Sequence, residues 1–528
     1  MKKSLFVWAA ALMTLAACSN NDELLNNENP GGKVTVTATL PSGAPDSRVA
    51  LTEDNSDATA PAIKVAWKTE ESFSVIRGSE NKTYSKNVEG STFTGNAHTV
   101  TDGTYYAFYP TTEATAANAI PYDLSQQTGT LDEAKTYMYA KNGTDGKNYE
   151  FNHLTALVKF TLTLPDEASG VTPSKVVISS DELLAKSTVD LTGENVVYST
   201  ADNTATSITV TTTSLTFYAY VNPMTASGED KNKFVISMDG NDGNFYSGTL
   251  ETSVSISANY LYATTVSMVK VEKGDFAMAD GSFMKYDAGV TLTTEQKANV
   301  RGIVFWTTAD SNPSSSTPAK LTDDKIMQAD FPNCTHGLIV SLKDVSQNTM
   351  WQGYPIDIAN WQATTFDAEN KDKYKSIAST EDDTAPINYI LGYQNTKLLK
   401  AYNALCSENY KKVLPVSLLA DFETANPAPA NTTGWFIPSV KELWMLVYKD
   451  LNNFNVSSPA NTDTKEVVAA SLAKVDSDIL RNRYYWSSLE RDSSGHEWAY
   501  FVLLEYASLG TGYKDGGDLK YVRAVCAF

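Results

Sequence analysis

The chain has 528 residues, of which 42 are basic and 62 acidic, giving a net charge of −20; 42% of its residues are hydrophobic and 11% aromatic. A chain of this length and composition is long enough for several domains, each with its own core. The acidic balance and the lack of clustered Lys and Arg exclude nucleic acid and anionic membrane surfaces as main partners, because binding to phosphates depends on clustered basic side chains.

The first segment, "MKKSLFVWAAALMTLAACSNNDELL", has the features of an export signal. It starts with Lys2 and Lys3, continues as an apolar run and ends in small residues before Cys18. The run Leu-Ala-Ala-Cys resembles a bacterial lipoprotein signal, in which the cysteine is lipidated. We interpret residues 1–18 as this signal, with Cys18 lipidated, and residues 19–32 as a polar tether. The alternative is an ordinary cleaved signal with a chance cysteine.

Later segments of the chain are too polar to cross a bilayer. None reaches the roughly 18 apolar residues that a spanning helix needs, so we expect membrane attachment through the lipid alone. The remaining cysteines are Cys334, Cys406 and Cys526. Export permits a disulfide among these three, and their odd number leaves at least one thiol outside such a pair.

Residues 33–268 consist of short runs rich in Val, Thr, Tyr and Phe, separated by Gly, Asn, Asp and Ser. This pattern predicts antiparallel β-sandwiches, and the length suggests two of them. Turn-forming residues cluster in "LPDEASGVTP", so we predict a first sandwich over residues 33–168 and a second over residues 169–270. The segment "NKFVISMDGNDGNFYSGTL", residues 232–250, predicts a β-hairpin.

Residues 271–528 have a different composition and hold seven of the nine tryptophans. Helical spacing of apolar residues predicts helices within 395–410 and 439–454. Ser439 and Glu442 form a capping-box pattern at the start of the second helix. Together with predicted strands, these helices indicate an α+β domain. The predicted strands are 483–490, 497–505 and 519–528.

Several segments of the first half resemble the fimbrillin family, the pilins of Bacteroidales type V fimbriae. They follow the lipoprotein signal in the family's order. They are "KVTVTATL" (33–40), "AWKTEESFSVI" (66–76), "YYAFYP" (105–110) and "FNHLTALVKFTLTL" (151–164). The resemblance implies two tandem transthyretin-like β-sandwiches in a mostly β protein. It also implies a surface-exposed location at the outer membrane, then in the fimbrium, with other fimbrial subunits as partners.

The resemblance further implies how the subunit joins a fibre. In this family a surface protease specific for arginine cuts the precursor and discards the lipid and the first strand, and a strand from a neighbouring subunit takes its place by β-augmentation. Here the cut would fall between Arg48 and Val49, making residues 33–48 a propeptide strand. The alternative is that Arg48 is an ordinary loop residue. The side chains expected to fill the groove provisionally are Val34, Val36, Ala38 and Leu40.

The C-terminal part is similar to lectin-like domains of the C-type lectin superfold. The similarity lies in "HGLIVSL" (336–342), "GWFIPSVKELWML" (434–446), "YYWSSLE" (484–490) and "YVRAVCAF" (521–528). It implies a C-type-lectin-like adhesin domain over residues 271–528. The Glu-Pro-Asn, Gln-Pro-Asp and Trp-Asn-Asp signatures of calcium-dependent sugar binding are missing from the sequence. The superfold's metal and sugar site therefore cannot be transferred to this chain.

Two loops of this part are candidates for binding an unknown glycan or protein of host or bacterial origin. They are "ERDSSGHEW" (490–498) and "GTGYKDGGDLKY" (510–521), with His496, Tyr513 and Asp515 as candidate residues, because loop aromatic and polar side chains commonly contact ligands. The alternative is that these loops only connect strands.

The four histidines are scattered and lack metal-ligand spacing, so we predict no metal and no cofactor. The S-x-x-K pattern of Ser471 and Lys474 lacks the motifs that accompany it in acyl-enzymes. We therefore predict no catalytic residues.

The sequence predicts a fimbrial tip subunit rather than a shaft subunit. The segment "YVRAVCAF" is expected to be buried in its own domain, and a strand buried there cannot be donated to a neighbour. The first alternative is a surface lipoprotein that binds a glycan or protein and never polymerises. The second is an enzyme of the formylglycine-generating type, which shares the lectin superfold but needs a suitably placed cysteine pair.

Overall fold

The structure, a computed structural model, is mostly β, as predicted. It describes residues 32–40, 52–54, 62–64, 67, 70–86, 91–131, 136–143, 145–227, 231–311, 318–369, 371–379, 385–448, 463–491, 497–505, 508–517 and 519–528.

The first half of the chain is built from short strands joined by polar turns. In chain order the strands are β1 (Lys33–Thr39), β2 (Thr52–Asp54), β3 (Ala62–Lys64), β4 (Ser72–Arg77), β5 (Glu80–Lys86), β6 (Thr92–Asn96), β7 (Tyr105–Tyr109), β8 (Ile120–Asp123), β9 (Gln126–Gln127), β10 (Met138–Asn142), β11 (Asn148–Glu150), β12 (Asn152–His153), β13 (Ala156–Thr163), β14 (Pro173–Ser179), β15 (Lys186–Asp190), β16 (Val197–Tyr198), β17 (Ser207–Val210), β18 (Thr216–Val221), β19 (Asn232–Gly240), β20 (Phe245–Thr252), β21 (Leu261–Ser267) and β22 (Val269–Lys270).

The first module is an eight-stranded sheet in the order β11-β1-β6-β5-β4-β7-β10-β12, with β2 and β3 paired separately. The alternation of apolar and polar residues along these strands places the apolar side chains on one face. There they form a core rich in aromatic rings. The aromatic members are Trp67, Phe73, Tyr84, Phe93, Tyr109, Tyr149 and Phe151.

The second module is a sandwich with its own core. One sheet has the order β22-β20-β19-β14-β17-β9, and two three-stranded sheets have the orders β18-β13-β21 and β16-β15-β8. The predicted hairpin at 232–250 is formed by β19 and β20, and Gly243 adopts φ of 79° in its turn. Glycine tolerates this left-handed conformation because it lacks a Cβ atom.

Strand pairing corrects the predicted boundary at residue 168. Strand β13 pairs with β18 and β21, while β8 and β9 pair with β15 and β17, so residues 120–127 and 156–163 belong to the second module. The turn residues of "LPDEASGVTP" connect β13 in one sheet to β14 in the other. This cluster therefore marks a crossing between sheets of one sandwich. Local turn composition cannot distinguish such a crossing from a boundary between domains.

The C-terminal module combines strands with short helices. Its strands are β23 (Phe276–Met278), β24 (Phe283–Met284), β25 (Val300–Thr307), β26 (Gly337–Thr349), β27 (Ala378–Ser379), β28 (Tyr484–Arg491), β29 (Trp498–Leu503), β30 (Ser508–Tyr513) and β31 (Lys520–Ala527). Its helices are α1 (Thr294–Asn299), α2 (Lys325–Asp330), α3 (Ile358–Thr364), α4 (Ala385–Asn388), α5 (Gly392–Leu405), α6 (Leu414–Ala425), α7 (Val440–Met445) and α8 (Asp463–Leu472). Short 3-10 helices are Asp166–Ala168 in the first half and Thr308–Asp310, Leu321–Asp323, Lys371–Lys373 and Asn409–Lys411 here.

The sheet of this module runs β24-β23-β25-β26-β31-β28-β29-β30. Strand β31 is central, antiparallel to β26 and bridged in parallel to β28 at Tyr485 and Tyr521. Two separate apolar clusters contain its side chains: Val525 belongs to one, while Val522 and Cys526 belong to the other. The near-continuous burial of β31 explains its apolar sequence.

The two predicted helices are present, and one is shorter than expected. Helix α7 begins with the predicted capping box, in which Ser439 Oγ accepts from the Glu442 N–H and Glu442 Oε2 accepts from the Ser439 N–H. The helix ends at Met445, whereas the apolar spacing predicted a helix within residues 439–454. Residues 449–462 lie outside the described part of the chain.

The second and C-terminal modules meet in a joint of packed aromatic rings. Phe245 of β20 stacks on His336, with ring centroids 4.2 Å apart, and lies 5.5 Å from the ring of Phe528. At the edge of this contact His336 Nε2 lies 2.6 Å from Asp239 Oδ1, and Lys233 Nζ lies 2.6 Å from Asp280 Oδ2. Side chains from both modules thus pack against each other across the joint.

Two carboxyl groups are buried in the C-terminal module: Glu442 lies in α7, and Asp324 is the N-cap of α2. Burial raises the pKa of Glu442 to about 8 from 4.5 and that of Asp324 to about 6 from 3.8, and their mutual repulsion adds to the shift of Glu442. Because the folded state holds these protons more tightly than the unfolded state, the resulting stabilisation is complete only below the unfolded-state pKa values. It is lost as the pH rises through the folded-state values.

We predict that the C-terminal module unfolds at progressively lower temperature as the pH rises from 4.5 to 8, the window of the Glu442 shift. Glu442→Gln should remove a large part of this slope, whereas Glu295→Gln, at an exposed position of α1, should leave it unchanged. Tryptophan fluorescence during heating reports this module, because it holds seven of the nine tryptophans. Identical slopes in wild type and Glu442→Gln would contradict the prediction.

Candidate assembly groove and ligand loops

Strand β1 lies between β6 and β11 in the first module. It pairs with β6 in antiparallel register from Lys33↔Asn96 to Thr37↔Thr92. With β11 it pairs in parallel only over its last three residues, Thr37 to Thr39. Most of its length is therefore hydrogen-bonded on one side alone. Such a strand can be replaced with few changes to the rest of the sheet.

The side chains of β1 fill an apolar groove. Val36 and Ala38 are 1% and 0% exposed, and Val34 and Leu40 are half-buried against the same core. Trp67 Nε1 donates a hydrogen bond of 2.9 Å to the Ala38 carbonyl. Removing the strand would expose apolar side chains of the first module's core to water, because these side chains line the groove beneath it.

Trp67 forms the centre of this groove. Its ring makes edge contacts with Phe93, Tyr109 and Phe151, at centroid distances of 5.1, 5.4 and 5.6 Å. Burying a side chain the size of valine contributes about 1.5–3 kcal/mol, so an occupant with apolar residues at alternate positions is strongly favoured over water. The chemical requirement is an extended segment with small or medium apolar side chains at every second position.

The predicted processing residues lie outside the described part of the chain. These are Cys18, Arg48 and Val49. The described residues on either side are β1, which ends at Thr39, and β2, which starts at Thr52. Lipidation at Cys18 and cleavage between Arg48 and Val49 thus remain predictions from the sequence.

Of the predicted ligand-loop residues, Tyr513 and Asp515 are described and His496 is not. Tyr513 ends β30, is 44% exposed and packs on Trp498 with ring centroids 4.0 Å apart. Asp515 is exposed two residues later. The residue between them, Lys514, is fully buried. The structure thus places both predicted residues on the surface, on either side of a buried lysine.

Lys514 forms a buried ion pair with Glu490, with side-chain exposures of 0% and 1%. Lys514 Nζ also donates to the Ile356 carbonyl at 2.7 Å, and Glu490 accepts from the N–H groups of Ile358 and Ala359 at the start of α3. Burial raises the pKa of Glu490 and lowers that of Lys514, while their attraction opposes both shifts. This pair fixes the 514–517 loop to α3.

Sequence reasoning did not find this pair. Both residues stand in segments that were interpreted as exposed loops, and charged residues there are usually solvated. Glu490 is the second-to-last residue of the apolar strand β28, and Lys514 directly follows β30. Neither position carries a local pattern that distinguishes a buried charge from an exposed one.

The three cysteines are free thiols in the structure, so no disulfide joins Cys334, Cys406 and Cys526. Burial raises the pKa of Cys334 to about 12 and that of Cys526 well above its ordinary value. Cys406 is half-buried, with Sγ 3.3 Å from the Glu408 carbonyl oxygen. Nucleophilic and metal-binding cysteines need an accessible thiolate, which burial disfavours for the first two.

Both residues of the S-x-x-K pattern donate hydrogen bonds to backbone carbonyls. Ser471 Oγ donates to the Gly274 carbonyl at 2.7 Å, and Lys474 Nζ donates to the carbonyls of Ala288 and Val290. Within the described ranges, no group of three His, Cys, Asp or Glu side chains is placed to hold a metal ion. The helices that the structure describes are each too short or too polar to cross a membrane.

The comparison with known families concerns the first and second modules. The family model described as fimbrillin-like matches residues 47–299. This fimbrillin-like region contains the second module and every strand of the first module except β1. The match confirms the resemblance of the first half of the chain to fimbrillins.

Known relatives are fimbrial proteins. A protein named "Putative fimbrium tip subunit Fim1C", from Bacteroides ovatus, is 29% identical over 258 residues. The match covers 46% of this chain and 43% of that relative, so the chain spans less than half of the relative's length.

Solved structures of fimbrial proteins are also similar. A fimbrial protein from Bacteroides ovatus, 19% identical, covers 95% of this chain and 100% of its own, with a TM-score of 0.42. The tip fimbrial protein Mfa3 from Porphyromonas gingivalis, 10% identical, covers 45% of this chain and 94% of its own, with a TM-score of 0.22.

We predict that Lys514→Met lowers the free energy of unfolding of the C-terminal module by about 3–5 kcal/mol, because it leaves Glu490 buried without a counter-ion. The double variant Lys514→Met/Glu490→Gln should regain much of the loss, since no buried charge then remains. Urea denaturation followed by tryptophan fluorescence measures both.

The matched control is Lys343→Met, which removes the partner of exposed Asp476. Exposed ion pairs contribute little to stability, so this variant should resemble the wild type. A Lys514→Met variant as stable as Lys343→Met would refute the anchoring role of the buried pair.

Proposed function

We propose that this protein is the ligand-binding subunit at the tip of a fimbrium. It is exported as a lipoprotein with lipidated Cys18, held at the outer membrane surface, and released from its lipid by an arginine-specific protease that cuts between Arg48 and Val49. Its partners are other fimbrial subunits. The observation that carries the proposal is the seating of β1 in the aromatic groove around Trp67.

The groove explains why a temporary strand is needed. An unoccupied groove of this kind combines open backbone hydrogen-bonding groups with exposed aromatic rings, which promotes aggregation. Strand β1 covers it through Val36 and Ala38 while remaining paired with β11 over only three residues. After a cut at Arg48, a donor strand from another subunit with the same apolar alternation fits the same site. The family match starts at residue 47 and leaves β1 out, which supports a separate role for this strand.

The tip position is supported by two observations. The relative from Bacteroides ovatus carries the name of a fimbrium tip subunit. Strand β31 is paired on both sides within the C-terminal sheet, so this segment is not available to a neighbouring subunit. We assign the C-terminal module, an α+β domain of the C-type-lectin-like kind, to ligand binding at the outer end of the fibre.

Replacing Arg48 tests the processing step. We predict that Arg48→Ala is exported and lipidated but keeps residues 33–48, stays bound to the outer membrane and is missing from high-mass fibres. Arg48→Lys should behave in the same way, because the protease requires arginine rather than any positive charge. Mass spectrometry of the surface protein and immunoblots of sheared fibres report both steps.

If Arg48→Ala yields the wild-type mass and enters fibres, cleavage at this bond is not required. If wild-type protein itself keeps its lipid and never enters fibres, the second candidate function holds, namely a surface lipoprotein that binds its ligand without polymerising.

Replacing Val36 tests the groove. We predict that Val36→Asp lowers the free energy of unfolding of the first module in the precursor by at least about 2 kcal/mol, because it loses the burial of valine and places a charge among apolar rings. Thr35→Asp, on the exposed face of the same strand, is the matched control and should have little effect. After cleavage at Arg48 and removal of β1, all three proteins should unfold alike. If the Val36→Asp and Thr35→Asp precursors were equally stable, this result would contradict the burial of Val36 in the groove.

A further inference from the structure

We propose that the C-terminal module binds a neutral carbohydrate on a surface formed by two aromatic pairs, half-buried Trp498 with exposed Tyr513 and exposed Tyr354 with exposed Tyr410. The inference rests on the proposed role of this module in ligand binding and names its ligand class and contact residues. Tyr513 was a candidate from the sequence; the other three rings emerge from the structure.

The first pair lies on the edge of the sheet. Trp498 of β29 and Tyr513 of β30 are directly opposite in the strand register, with ring centroids 4.0 Å apart and planes inclined by 33°. Strand β30 is the last strand of the sheet, and Tyr513 is 44% exposed. The close ring contact restricts the rotation of Tyr513, so its outer face is held in one orientation.

In the second pair, Tyr354 lies on a loop and Tyr410 lies in the 3-10 helix Asn409–Lys411. Tyr354 and Tyr410 are 53% and 52% exposed, and their rings are 6.2 Å apart in an edge-to-face arrangement. The Tyr410 hydroxyl donates to Glu408 Oε1 at 2.5 Å, and Lys411 Nζ lies 5.6 Å from the Tyr410 ring centroid. Charged hydrogen-bonding groups thus border the rings.

One short segment, residues 351–356, connects the two pairs. The N–H groups of Trp351 and Gln352 donate to the Lys514 carbonyl at 3.1 and 3.0 Å, next to Tyr513. Gln352 Nε2 donates to the Lys411 carbonyl at 2.7 Å, next to Tyr410. The segment also carries Tyr354. Both pairs therefore border the same piece of chain.

A buried ion pair and a hydrogen bond hold this segment in place. Buried Lys514 pairs with Glu490, donates to the Ile356 carbonyl and lies 5.1 Å from the ring centroid of Trp351. A surface that is held in place before binding loses little conformational entropy on binding. Charges are rarely buried so completely, and here the buried pair holds the segments next to Tyr513 and Tyr354.

The chemistry of the surface favours a neutral glycan. Flat aromatic rings pack against the C–H faces of sugar rings, while sugar hydroxyls need nearby donors and acceptors. Glu408, Lys411 and Asp515 supply these groups beside the rings. The net charge of −20 disfavours polyanionic ligands. Because charged groups border the rings, the surface resembles a sugar platform more than the contiguous apolar core of a protein interface.

The test uses the full-length protein and defined oligosaccharides. The neutral probes are hexasaccharides of β-1,4-glucose, α-1,6-mannose, β-1,4-galactose and β-1,4-N-acetylglucosamine, and the charged probe is a heparin-derived hexasaccharide. Isothermal titration calorimetry measures affinity, and tryptophan fluorescence reports contact with Trp498. We expect binding of at least one neutral probe and weaker or undetectable binding of the charged one.

Variants then locate the site. Tyr513→Ala and Tyr410→Ala should each weaken binding by about tenfold, the size typical of a central aromatic contact. Tyr513→Phe and Tyr410→Phe should bind nearly as well as the wild type, because they keep the ring. The matched control is Tyr260→Ala, which removes a 60% exposed tyrosine next to Tyr262 in the second module. It should bind as the wild type does.

The proposal is overturned if no neutral probe binds at millimolar concentration, if the alanine variants bind normally, or if heparin hexasaccharide alone binds. Binding of a purified host protein that depends on these tyrosines, without oligosaccharide binding, also overturns it. Incorporation into fibres is measured separately for each variant. If the wild-type protein binds a neutral probe but never enters fibres, the proposed tip-subunit function is refuted. The proposed carbohydrate-binding surface is then still supported.

Discussion

The packing of Val36 and Ala38 against the aromatic core around Trp67 is the contact on which the first module depends. A sheet with one face made of aromatic rings needs an occupant along its open groove, because water cannot solvate the rings or pair the strand edges as well as another strand can. The hydrogen bond from Trp67 Nε1 to the Ala38 carbonyl fixes the occupant's register. Under the proposed function, a donor strand with the same alternation would make the same contacts.

The C-terminal module depends on a different interaction, because it contains charged side chains that pair in its interior. Arg523 of β31 pairs with Asp344 and donates to the carbonyls of Ser341 and Leu342, with no exposed side-chain surface on either charged residue. Lys514 and Glu490 fix the opposite side of the sheet in the same manner. Arg523, Lys514 and Glu490 also form hydrogen bonds with backbone groups, which offsets part of their desolvation.

Much of the fold could be predicted from local sequence. Alternation along 33–40 indicated β1, and the pair Ser439 and Glu442 marked the start of α7, because both signals depend on neighbouring residues alone. The boundary at residue 168 was wrong because strand partners are set by contacts between distant segments: β13 pairs with β21, about a hundred residues later. The buried pair of Lys514 and Glu490 and the Tyr354–Tyr410 pair arise from tertiary contacts and carry no local pattern.

The aromatic joint between the second and C-terminal modules also has a mechanical meaning. Modules connected only by a flexible segment reorient freely, so a load on one reaches the other only after the linker is stretched. Here Phe245, His336 and Phe528 pack across the joint, and Lys233 and Asp280 pair beside it. A rotation of one module relative to the other would therefore have to separate these rings and this ion pair.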